Sequence, residues 1–191
     1  LERAVAVANF AGNQSGSELV NWTPLRNLSL EKGVVMKPRM NNLEAGAGVV
    51  KAMFGLSGYL AHCGLEQSLL SLLEFRVSQI NGCAFCLDMH SKDLRAGGET
   101  EQRLYVLPAW RESPFYTDRE RAALAWAEAV TVLGEGHVSD EVFAQARAQF
   151  SEEELANLTL AVIAINGWNR LNIAFRTTPG TYRVAGAKGA A

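Results

Sequence analysis

The stretch Val77–His90, VSQINGCAFCLDMH, decides how this chain is read. It sets two of the three cysteines and one of the three histidines close together. Asn81-Gly82 ends one helix, because glycine enters the left-handed region without steric cost. A second helix is predicted to start at once, carried by Ala84, Phe85, Leu87, Met89, Lys92, Leu94 and Arg95, until Gly97-Gly98 stops it. That predicts Cys83 in the first turn of the new helix, with Cys86 one turn on. Unpaired backbone N–H groups and the positive end of the helix dipole there favour a thiolate over a thiol. At i, i+3 and i+7 the side chains of Cys83, Cys86 and His90 share one face. The pattern is that of reactive thiols with an acid/base partner in line.

Three plainer readings compete. Cys83 and Cys86 could be two buried core thiols, since cysteine is among the most buried residue types. They could instead ligate zinc with His90, but structural zinc wants a fourth ligand, usually from a second short cluster. Cys63, His62 and His137 are the remaining candidates, and none forms a Cys or His pair at that spacing. His90 could also be an ordinary helix histidine, although imidazole exchanges protons near neutral pH and lies one turn from Cys86. Cys63 reads as a small core residue and His137, beside Gly136, as a loop residue. Asp88 and Lys92 form an i, i+4 pair that needs only a solvated face.

Outward from this motif the pattern is helical. Val49, Val50, Met53, Phe54, Leu56, Tyr59 and Leu60 recur at three- and four-residue steps, ending near Gly64. Leu69, Leu70, Leu72, Leu73, Val77 and Ile80 mark the helix that ends at Gly82. After the cysteine helix come a short piece around 99–106 and an irregular stretch with Pro108 and Pro114. Thr117-x-x-Glu120 is a capping box opening a helix through Leu133, and Gly134 and Gly136 break it. Ser139, Asp140 and Glu141 begin another. Ser151-x-x-Glu154 is a second capping box, leading a long apolar helix to about Phe175. No stretch alternates as a strand, so the expected fold class is all-α. Residues 1–35 show no sustained periodicity and read as an N-terminal extension outside the fold, with the domain over 36–182 and a flexible Gly/Ala-rich tail over 183–191.

Composition bounds the function. Of the 191 residues, 48% are hydrophobic and 20% charged, and the net charge is −2, so no basic excess points to nucleic acid. No apolar run approaches the roughly 18–20 residues of a membrane span, and the start does not read as a signal peptide. Three cysteines make no secreted disulfide framework. A cytoplasmic protein is expected.

The chain also echoes itself. Gln79–Gly82 (QING) aligns with Ala164–Gly167 (AING), Leu70 with Leu155 and Leu73 with Leu158. In that register Cys83 meets Trp168, Cys86 meets Leu171 and His90 meets Phe175. One copy of an internal helical repeat then carries the chemistry while the other keeps the packing. Trp168, Asn169 and Arg170 are assigned to packing or a subunit contact.

The stretch Arg76–Arg95, RVSQINGCAFCLDMHSKDLR, resembles the core motif of the alkylhydroperoxidase AhpD-like proteins of the carboxymuconolactone decarboxylase superfamily. Ile165–Arg176, INGWNRLNIAFR, is similar to the helix of that group's second half. The resemblance covers roughly 36–182. It implies an all-α helical bundle that assembles as a homo-oligomer, a trimer or hexamer. It also implies a dithiol/disulfide cycle reducing hydroperoxides or a peroxiredoxin partner, in which Cys86 attacks the oxidant, Cys83 resolves and His90 sits in the proton relay. Such relatives commonly place a glutamate twelve residues before the first motif cysteine. That position is Ser71 here, and Glu74, one turn further on, either substitutes or is a solvated surface residue.

The expected activity is therefore peroxide reduction, restored by an external dithiol or thioredoxin-type donor, with no bound cofactor. A lactone decarboxylase is the superfamily's other activity and does not depend on Cys-x-x-Cys. A redox-sensing subunit without turnover is the non-enzymatic reading, favoured by Ser71.

Overall fold

A computed structural model describes residues 37–41, 44 and 46–184, and the expected N-terminal extension and most of the expected tail lie outside these. Among the described residues the structure is all-helical, as the periodicity predicts. Its helices are α1 (Ala47–Leu60), α2 (Gln67–Asn81), α3 (Ala84–Ala96), α4 (Glu101–Val106), α5 (Asp118–Thr131), α6 (Asp140–Gln149) and α7 (Glu152–Phe175). A 3-10 turn at Leu107–Ala109, with Pro108 near its start, follows α4 directly. None of these helices is long and apolar enough to cross a membrane.

Local signals set the helix starts. Both predicted capping boxes form: Thr117 Oγ1 accepts from the Glu120 N–H at 3.2 Å while Glu120 accepts from the Thr117 N–H at 2.8 Å. Ser151 and Glu154 repeat the exchange at 3.1 and 2.8 Å. Each such cap is worth about 1 kcal/mol. Helix α5 stops at Thr131, two residues short of the predicted end, because Val132 and Leu133 find no packing and remain more than half exposed.

Helix α2 is the spine. Leu69, Leu70, Leu73 and Val77 face a core shared with α5 and α7, and Leu72 and Phe75 face a second core closed by Leu94, Leu104, Leu107 and Trp110. Burying each Leu contributes roughly 1.5–3 kcal/mol, so a helix buried on both sides is fixed firmly. Arg76 ties it to α5 through Glu128 at 2.8 Å. The rigidity matters because α2 ends where the cysteine motif begins.

The echoed segments meet in space. Asn81 Nδ2 donates to Asn166 Oδ1 at 3.0 Å, and these are the equivalent asparagines of QING and AING. Behind them Asn169, fully buried on α7, accepts from Asn81 at 2.8 Å and donates to the buried Ser78 at 3.1 Å. Asn169 therefore serves internal packing rather than a subunit contact.

Candidate active site

Gly82 takes φ +67° and ψ +33°, and the Cys83 N–H reaches back to the Ser78 carbonyl at 3.1 Å. This closes α2 as a Schellman motif, which requires a residue that tolerates the left-handed region. The next residue already caps α3. Cys83 is extended, and its Sγ accepts from the Cys86 N–H at 3.4 Å. Cys83 thus sits just outside the helix as its cap rather than within the first turn, since the Schellman turn leaves it no room for helical geometry. The pair lies at disulfide distance, with Cα atoms 5.3 Å apart and both residues buried.

Cys86 and His90, one turn apart on α3, both line a cavity of about 430 Å³. Its other walls are Phe54 and Ser57 of α1, Ser71 and Glu74 of α2, Phe85, Met89 and Asp93 of α3, Ile165, Trp168 and Asn172 of α7, and Thr177. Cys83 is not among them. The exposed lining is mostly apolar, and its polar groups come from Glu74, His90 and Asp93 and from Ser57, Ser71, Asn172 and Thr177. Trp168 is fixed there by its indole N–H on Ser57 Oγ at 3.1 Å and by an edge contact to Phe54.

Both Ser71 and Glu74 face this cavity, so the α2 face carries the serine and supplies a carboxylate one turn along. Glu74 Oε2 lies 3.7 Å from His90 Nδ1. Burial, then the Asp93 charge, pushes the Glu74 carboxyl up to about 7. Its side chain remains 29% exposed, but that exposure is at a cavity wall, where the desolvated carboxyl still favours its neutral form. Burial pushes His90 the other way, down to about 4, against a smaller opposing pull from Asp93. Between those values the pair holds one proton, on Glu74, with a neutral imidazole facing it. His90 Nε2 is buried and has no hydrogen-bond partner among the described residues. Leaving such a group unpaired costs about 1–3 kcal/mol.

Several residues behave differently from their sequence reading. Asp88 and Lys92 do pair, at 2.7 Å, but they are not a merely solvated face. Asp88 also accepts from the Gly180 N–H at 2.9 Å, and Lys92 donates to the Tyr182 carbonyl at 3.3 Å. Tyr182 donates to Asp93 at 2.6 Å, so the segment after α7 is pinned along α3. Asn172 was not singled out from the sequence, yet its Nδ2 lies 3.6 Å from Cys86 Sγ. The available signal was spacing: Asn166, Asn169 and Asn172 recur every three residues along α7. Cys63 is a partly buried free thiol against the core, and His137 is an exposed turn residue with φ +50°. Among the described residues, no group of three or more His, Cys, Asp or Glu is placed to hold a metal ion.

Comparison with known proteins follows the same lines. The carboxymuconolactone decarboxylase family matches residues 47–129. The uncharacterized protein YdfG of Bacillus subtilis is 40% identical over 139 residues, covering 73% of this chain and 95% of YdfG. The crystal structure of ATU0492 from Agrobacterium tumefaciens, a protein of unknown function suggested to be an antioxidant defence protein AhpD, superposes with a TM-score of 0.73. It is 43% identical, over 76% of this chain and all of that one. A debrominase, Bmp8, shares the fold at a TM-score of 0.65 and 21% identity, over 73% of this chain and 75% of its own.

Proposed function

This chain belongs to the carboxymuconolactone decarboxylase family, among its AhpD-like members, and we propose that it is a thiol-dependent peroxidase acting on organic hydroperoxides. The observation that carries the reading is the placement of Cys86. It is paired with Cys83 at disulfide distance, and it opens on the same cavity as the Glu74–His90 pair.

In this reading the Cys86 thiolate attacks one peroxide oxygen. The S–O bond forms as the O–O bond breaks, and the departing alkoxide takes a proton to leave as alcohol. Glu74 holds that proton, and neutral His90 can accept it at Nδ1 and release one from Nε2. Cys86 is left as a sulfenic acid. The Cys83 thiol displaces its oxygen as water and closes the disulfide. An external dithiol or thioredoxin-type donor, a peroxiredoxin among the candidates, returns both sulfurs to thiols by exchange and is itself oxidised. The protein's own thiols carry the electrons throughout. The apolar walls formed by Phe54, Phe85, Met89, Ile165 and Trp168 favour an organic over a small polar peroxide. A homo-oligomer, trimer or hexamer, belongs to the same proposal. Phe54 and Tyr59 on α1 and Ile163 on α7 remain about half exposed, which supports it.

Two substitutions test the cycle. Cys86→Ser is expected to abolish peroxide consumption, and Cys83→Ser to leave a sulfenic acid that dimedone labels. Unchanged turnover in both variants, with no adduct, would overturn the thiol cycle, and a wild type that consumes no peroxide would turn the reading to a decarboxylase or a sensor. Size-exclusion chromatography of reduced and oxidised protein separates the latter, since a sensor changes assembly without turnover.

A further inference from the structure

Cys86 Sγ receives a side-chain donor from the opposite half of the chain. Asn172, on α7, is buried, and its Nδ2 makes two contacts: 2.9 Å to the Trp168 carbonyl and 3.6 Å to Cys86 Sγ. The first fixes the second. A backbone carbonyl only accepts, so the group facing it must be the amide NH₂ rather than its oxygen. One N–H is spent on Trp168, and the other is left aimed at the sulfur. The amide is therefore oriented before any charge appears on Cys86.

We propose that Asn172 is a further catalytic residue, whose amide N–H holds negative charge on Cys86 Sγ. A disulfide sulfur is a weak neutral acceptor, whereas a thiolate is charged, and hydrogen bonds to charged groups are roughly twice as strong as neutral ones. The contact therefore contributes little in the disulfide and more in the thiolate. It favours loss of the Cys86 proton. At a buried sulfur such a preoriented donor needs no reorganisation as charge develops. An asparagine bonded to the carbonyl four residues back is also an ordinary helix feature, so the test must read the sulfur rather than the fold.

This inference rests on the thiol cycle above, yet it can be tested apart from turnover. In the full chain carrying Cys83→Ser, where Cys86 is the sole motif thiol, its alkylation by iodoacetamide is followed against pH by mass spectrometry. Asn172→Ala is expected to raise the apparent pKa of Cys86 by about one unit, a tenfold loss of thiolate below it. Asn172→Asp keeps the shape, replaces the donor with an acidic oxygen, and should raise it at least as far. If the alanine variant does not fold, Asn172→Leu, of similar size and without a donor, decides, since a carboxylate at 172 would raise the value by its charge alone. An unchanged pKa in a variant with native circular dichroism would overturn the role. Peroxide consumption by the wild type separates the two claims. A pKa shift without wild-type turnover would keep the donor and remove the peroxidase, and turnover without a shift would do the reverse.

Discussion

At Gly82 the chain turns out of α2 with φ +67°, whereas at Gly167 the same Ile-Asn-Gly runs through the interior of α7 unbroken. The first glycine is needed for its conformation, since a Cβ there would meet nothing within 4 Å. The second has no such conformational need, and a Cβ there would lie 2.9 Å from Cε of Met53, the flexible end of a side chain that must move aside. One letter thus stands in two settings. Breaking the helix at Gly82 creates a new N-terminus inside the fold, capped by Cys83 and followed by Cys86 and His90. Running through at Gly167 leaves Trp168, Leu171 and Phe175 in those registers and Thr159 opposite Glu74. The unbroken copy is not inert, because Trp168 and Asn172 form part of the cavity that Cys86 opens on.

The sharpest way to break this comparison is to remove the carboxylate that the reactive half has at Glu74 and the other half lacks at Thr159. Glu74→Gln is expected to lower turnover by about a hundredfold, within the range for one general acid. The wild-type rate should also fall as pH rises through about 7, because Glu74 is protonated below that value and loses its proton above it. His90 is already neutral above about 4 and adds no second step there. The glutamine variant should lack the limb near 7. A variant that keeps it would place the titrating group elsewhere.

A smaller effect is expected at the break itself. Gly82→Ala forces a side chain into the left-handed region at a cost of about 1–2 kcal/mol. Urea unfolding should show that loss, with slower peroxide consumption as the Cys83 cap shifts. Gly167→Ala should do least. The atom it meets is the end of a flexible methionine, and alanine gains about 1 kcal/mol of helix propensity over glycine. Its unfolding midpoint should stay close to the wild type. If Gly167→Ala proved the costlier of the two, the close approach to Met53 and not the turn at Gly82 would be the tighter constraint.

What the sequence revealed follows from how far each cause reaches along the chain. Thr117, Ser151 and Gly82 act within one turn, and each appears where its local pattern places it. Cys83, Cys86 and His90 were legible for the same reason, although the Schellman turn moved Cys83 from the first turn to the cap. Ser71 and Glu74 could not be distinguished by counting residues, because both face the cavity and the packing of α2 sets their depth. Asp88 reads as one half of a helical ion pair. Its bond to the Gly180 N–H joins residues 92 positions apart, and no local pattern announces that. Asn172 was passed over because an asparagine within an apolar helix suggests packing, and its partner Cys86 lies on a different helix.

The central claim is that Cys86 and Cys83 form one redox unit that a hydroperoxide can reach. Alkylation and mass spectrometry of the reduced chain, before and after about one equivalent of cumene hydroperoxide, test it most directly. The account predicts a Cys83–Cys86 disulfide formed within seconds while Cys63 stays alkylatable. Two motif thiols that survive the peroxide and alkylate slowly would contradict it.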